Sequence, residues 1–121
     1  MSFSQVLKEV TDGVKGARGA AVVGMDGIVV EGYAALGEAD GVDLQSLGAE
    51  YGNILKNVQD VSQSLHMGRA REVAVVAEAT GLIMRKINDD YFLALLISPG
   101  GNLGKGRFIV RKAVNRLMQE F

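Results

Sequence analysis

The chain has no cysteine, and only one proline and one histidine among its 121 residues. The missing cysteines exclude disulfides, a thiolate nucleophile and any Cys-based zinc site, and they fit a reducing cytoplasm. Neither sign of charge dominates: the formal net charge is −1, too little to attract nucleic acid or an anionic membrane. Aromatic residues make up only 6%, with none of the basic–aromatic interleaving that stacks bases. The longest apolar run, Tyr91 to Ile97, falls far short of the ~20 residues that cross a bilayer. The opening Met1-Ser2-Phe3-Ser4-Gln5 lacks the charged-then-apolar layout of a signal peptide. These absences predict a soluble, cytoplasmic protein without a membrane span, one domain over residues 1–121.

What is present is an ordinary core-forming composition, 48% hydrophobic and 22% charged. Ser2-Phe3-Ser4-Gln5 has the form of a capping box, and Phe3, Val6, Leu7, Val10 and Val14 follow at helical spacing, predicting a first helix over 3–15. Residues 19–25 and 28–33 read as strands joined by a two-residue Asp26-Gly27 hairpin. After a small-residue connection over 34–42, Asp43 caps a long helix over 44–66, with Gly68 as its stop. Strands are expected over 72–78, 82–87 and 91–97, turning at Thr80-Gly81 and Asn88-Asp89-Asp90. The strand over 91–97 is apolar on both alternating faces and should be central. A helix over 103–120 closes the chain, with Phe108, Ile109, Ala113, Leu117 and Phe121 on its broad apolar face.

The long helix is the most informative element. Leu44, Leu47, Tyr51, Ile54, Val58, Val61 and Leu65 alternate steps of three and four, a seam suited to lying along another helix. Gly48 and Gly52 sit one turn apart beside it. A glycine inside a helix costs about 1 kcal/mol relative to alanine, so two of them suggest that another backbone comes close. That backbone is the protein's own sheet, a twin helix or a partner; Gly48 and Gly52, with Leu55, are the expected partner-contact positions.

The element order predicts an α+β fold: a five-stranded antiparallel sheet with both terminal helices on one face and the long middle helix on the other. One helix about 10–12 Å across covers roughly half of a sheet five strands wide. The uncovered half and the free seam argue for a second copy. The expected dimer interface is Leu47, Tyr51, Ile54 and Val58 on the helix with Val73 and Val75 on the edge strand.

Few groups suit catalysis. His66 has no carboxylate cluster at ligand spacing and reads as a cap or surface residue. Asp89-Asp90 belong to a turn, and Glu72 and Glu78 are strand-end charges. Pro99-Gly100-Gly101-Asn102-Leu103-Gly104-Lys105-Gly106 sits where a P-loop would, yet Pro99 replaces its first glycine and Gly106 its magnesium-binding hydroxyl. A structural loop is the better reading, and the chain is expected to be no enzyme and to hold no cofactor or metal. Lys105, Arg107, Arg111, Lys112 and Arg116 make the last helix basic, as a solvated face or as a docking patch for an acidic partner.

With Gly-Met-Asp-Gly-Ile-Val-Val-Glu after the first helix and Pro-Gly-Gly-Asn-Leu-Gly-Lys-Gly before the last, the chain resembles the Roadblock family, which contains dynein light chains and bacterial GTPase regulators. Its MglB-like branch fits best in length. The resemblance covers essentially the whole chain and implies a profilin-like Roadblock fold. It also implies a homodimer with a continuous ten-stranded sheet, and binding of a small Ras-like GTPase with or without stimulation of GTP hydrolysis. A second reading is a scaffold subunit of the light-chain type with no nucleotide-linked role, and a third, the weakest, is a small-ligand sensor using the sheet–helix cleft. Arg69, Arg71 and Arg85 could each reach a transferring phosphoryl, and their spacing singles out none of them.

Overall fold

The computed structural model describes residues 2–35 and 43–121. Helix α1 (Phe3–Asp12) is followed by strands β1 (Ala17–Gly24) and β2 (Val29–Ala34) and the long helix α2 (Leu44–Ser64). Strands β3 (Glu72–Val76), β4 (Gly81–Lys86) and β5 (Tyr91–Ile97) and helix α3 (Leu103–Met118) complete the chain. The strands form one antiparallel sheet in the order β2-β1-β5-β4-β3. As expected, β5 is central, and from Phe92 to Ile97 every residue is buried.

Period-two alternation sorts the two layers. Ala20, Val22, Ile83, Leu93 and Leu95 point to the face covered by α1 and α3, where they meet Leu7, Val10, Val110 and Leu117. Ala21, Val23, Leu82, Met84, Phe92 and Ala94 point to the opposite face and pack around Leu55 of α2. The sequence signals that start each helix act as read. Ser2 Oγ accepts from the Gln5 N–H at 3.2 Å, Asp43 Oδ1 from Ser46 at 3.0 Å and Asn102 Oδ1 from Lys105 at 2.9 Å.

Several boundaries differ from expectation. Helix α1 stops at Asp12 because Gly13 caps it, although Val14 still packs in the core. The β1–β2 connection is a three-residue loop. Gly24 N–H donates to the Ile28 carbonyl, Gly27 N–H donates back to Gly24, and only Gly27 takes a positive φ, +87°. This is a type I turn closed by a left-handed glycine. Strand β3 ends at Val76, two residues early, because the turn runs over 77–80 and Gly81 already pairs with Val76. Most of the connection expected over 34–42 lies outside the described residues.

Helix α2 ends differently from the Gly68 stop. His66 N–H donates to the Gln63 carbonyl and Met67 N–H to the Ser62 carbonyl, with His66 at φ +58°. This is a Schellman cap whose left-handed position, usually glycine, is filled by histidine. The cap reading of His66 therefore describes its backbone.

Candidate functional site

Helix α2 lies against β1 and β2. Its buried stripe is Gly48, Gly52 and Leu55, and Leu55 is 0% exposed. A Cβ at Gly52 would stand 3.2 Å from the Gly27 Cα, and one at Gly48 would stand 3.0–3.1 Å from Val29, Val23 and the Gly27 carbonyl. The backbone that needs the two glycines is therefore the protein's own β1–β2 hairpin. This corrects the expectation that Gly48, Gly52 and Leu55 contact a partner: all three are enclosed within the chain itself.

The seam is centred about 70° away from Leu55 around the helix, by the helical rotation of about 100° per residue. Ile54 is 42% exposed, Val61 and Leu65 are exposed, and Leu47, Tyr51 and Val58 are half-buried. A groove of about 400 Å³ runs along Ile54, Asn57, Val58, Val61, Ser62 and Met67. Met67, just past the cap, extends the apolar stripe beyond the residues periodicity picks out, because a Schellman cap folds the next residues back along the helix. On the same face of the sheet, Val73 and Val75 of edge strand β3 are half-buried, packed on the α2-side core. Two apolar strips are thus left open, one on the helix flank and one on an unpaired sheet edge.

The glycine-rich loop before α3 is committed to backbone packing. Ser98 N–H donates to the Gly16 carbonyl at 2.7 Å and Asn102 N–H to Lys15 at 3.1 Å, while the Gly101 and Lys105 amides bond within the loop and cap. A Cβ at Gly16 would sit 2.7 Å from the Gly101 Cα. These glycines let the loop clasp the α1–β1 connection, and amides that would cradle phosphate are spent there.

The basic face of α3 is also largely committed. Glu72, at the start of β3, accepts from Arg107 at 2.6 and 2.9 Å and from Arg85 at 3.1 Å, with Arg111 at 3.7 Å. Burial raises its pKa, and the hydrogen bonds from Arg107 and Arg85 outweigh that, leaving the carboxyl below its ordinary value. Arg116 pairs with Glu9 at 2.7 Å. Of the three arginines weighed for phosphoryl contact, Arg69 is held by Asp89 and Arg85 by Glu72; Arg71 is exposed. Among the described residues no three His, Asp or Glu side chains converge as metal ligands, and no helix is long and apolar enough to cross a membrane.

A five-stranded antiparallel sheet with two terminal helices on one face, one long helix on the other and open apolar strips beside it defines an α+β domain of the profilin-like class. Solved structures narrow the class. MglC from Myxococcus xanthus is 35% identical, with both chains covered in full and a TM-score of 0.71. The gliding protein MglB from Thermus thermophilus is 23% identical at a TM-score of 0.87, over 96% of this chain and 85% of that one. A Roadblock/LC7 domain from Streptomyces avermitilis, 14% identical, covers 99% of this chain and 98% of its own at a TM-score of 0.86. No protein-family model matches the sequence, and no curated protein does. The full-length match to MglC makes this chain a member of the Roadblock family.

Proposed function

We propose that this chain is a homodimeric regulator or adaptor for a small Ras-like GTPase, acting by contact rather than by chemistry of its own. The observation that carries the reading is the pair of open apolar strips: Leu47, Tyr51, Ile54 and Val58 on the flank of α2, and Val73 and Val75 at the β3 edge. An exposed apolar edge strand invites pairing. A second copy meeting it edge to edge joins two five-stranded sheets into one of ten and lays the two α2 seams side by side. The family membership supports the GTPase as partner, and the outward face of the paired helices is the surface offered to it, with Glu50, Asn53 and Asn57 exposed there. Any stimulation of hydrolysis then acts on the GTPase's own site, by reshaping it or through an arginine offered in trans, since the chain's loop before α3 spends its amides internally.

Retention of a small GTPase, encoded nearby and loaded with a GTP analogue or GDP, on immobilised protein tests the reading. Binding that depends on the bound nucleotide is expected. Equal retention of both forms would leave only a scaffold role, and a one-chain mass by light scattering at micromolar concentration would remove the dimer.

A further inference from the structure

We propose that Lys105, Phe108 and Lys112 on the outer face of α3 form a docking point for an acidic segment of a partner protein, one that presents an apolar side chain flanked by carboxylates. The spacing of the sequence suggested that Phe108 belongs to the core, and the structure reverses this: the ring is 59% exposed. The cause is Gly106. It faces the sheet in place of a side chain, where a Cβ would lie 2.7 Å from Ile97 and 3.2 Å from Ile83, and Val110, Ala113, Val114 and Leu117 continue that buried stripe. Phe108, two residues on, is rotated about 200° from Gly106 and stands away from the core.

The cations of the helix divide into two groups. Arg107, Arg111 and Arg116 are drawn sideways onto Glu72 and Glu9. Lys105 and Lys112, three residues before and four after Phe108, have no ion pair among the described residues, and the Lys112 ammonium rests 5.5 Å over the Phe108 ring. The outer stripe is therefore an exposed aromatic held between two unneutralised positive charges.

Access to the ring is open as well. Helix side chains lean toward the N-terminus, so Phe108 extends over the turn that holds Gly104. A Cβ at Gly104 would meet only Asn102 Oδ1, at 3.7 Å, so packing does not require glycine there, and its absence of side chain leaves one edge of the ring uncovered.

Charge complementarity selects the occupant. The stripe attracts carboxylates and the ring offers an apolar anchor of the kind that concentrates binding energy. A membrane surface is disfavoured because α3 spends its apolar face on its own sheet and an interfacial helix needs that face free. Nucleic acid is disfavoured because one ring makes no stacking row.

The test is fluorescence anisotropy with a labelled helical peptide that carries glutamates one turn to either side of a leucine, titrated with the full chain. Saturable binding that weakens with added salt is expected, with a loss of about tenfold for Phe108→Ala and for Lys105→Glu combined with Lys112→Glu. These positions are exposed, so their melting temperatures should match the parent's. Equal binding by the charge-reversed variant, equal binding of the glutamine version of the peptide, or no binding at millimolar peptide would each overturn the proposal. So would preferential sedimentation with phosphatidylserine vesicles or capture of single-stranded DNA through the same lysines.

Discussion

Arg107 grips Glu72 with two donors on one carboxylate oxygen, at 2.6 and 2.9 Å, and so ties the first residue of edge strand β3 to helix α3. The other oxygen is held by Arg85 from the neighbouring strand. Hydrogen bonds to charged groups contribute about 1.5–3 kcal/mol, reduced here because Arg107 and Arg111 are half in solvent. Glu72→Gln should therefore cost about 1–2 kcal/mol at neutral pH, read from urea melts. Because the folded carboxyl is held below its ordinary value, its contribution is complete above about pH 4.5 and is lost as the pH falls through the lowered value. The gap between parent and variant should close in acid; a constant gap would show that charge is not its source.

His66 closes α2 in a left-handed conformation that costs an L-residue about 1–2 kcal/mol. His66→Gly should relieve most of this and raise the melting temperature by about 3 °C, measured by calorimetry. A lowered melting temperature would mean that the imidazole holds the cap through its side chain.

Glycine substitutions in two helices should move in opposite directions. Gly104 is exposed with room beside it, so Gly104→Ala should stabilise by about 0.5–1 kcal/mol. Gly52 lies 3.2 Å, measured from a built Cβ, from the Gly27 backbone. Gly52→Arg should cost at least about 3 kcal/mol through steric overlap and a charge forced into the interior. Denaturant melts would show this as a general loss of stability. A Gly52→Arg protein as stable as the parent would mean that α2 can lift from the hairpin.

The open strips make the assembly testable. Ile54→Lys combined with Val75→Asp should yield monomer or aggregate by light scattering, because each places a charge on a surface proposed to be buried between copies. An intact dimer carrying both substitutions would move the interface elsewhere.

The protein alone should neither bind nor hydrolyse GTP measurably. The loop at 99–106 lacks a hydroxyl for magnesium, and five of the amides in and beside it, those of Ser98, Gly101, Asn102, Lys105 and Gly106, are bonded within the loop and cap or to the α1–β1 connection. Turnover abolished by Lys105→Ala would contradict this.

Much of the fold was legible because local rules agreed with the tertiary ones. Ser2, Asp43 and Asn102 cap as their side chains predict, and the doubly apolar run from Tyr91 to Ile97 is the central strand. The candidate site was harder to read. A glycine pair announces close packing without naming the neighbour, and for Gly48 and Gly52 the neighbour is a hairpin some 20 residues earlier in the chain. Phe108 is hard to place from sequence for a related reason. Hydrophobicity assigns a phenylalanine to the core, while the glycine that holds the core position, Gly106, carries no apolar signal. The Glu72 cluster joins residues from three elements, a convergence that periodicity within any one element does not encode.

The strand order bears on how the protein reaches this state. Strands β1 and β2 form one hairpin, β3 to β5 form a separate meander, and only the ladder between β1 and β5, from Ala17–Ile97 to Gly24–Tyr91, joins them into a sheet. Loop closure over so many residues must precede most of the reward, which makes folding slower than for a helical bundle of the same size. On the ribosome, residues 20–23 have no strand β5 to shelter beside until nearly the whole chain has emerged. A truncation before Tyr91 would keep α1 and α2 on the faces of the hairpin but leave β1 an unpaired apolar edge prone to aggregate, so a late strand decides whether an early one stays soluble.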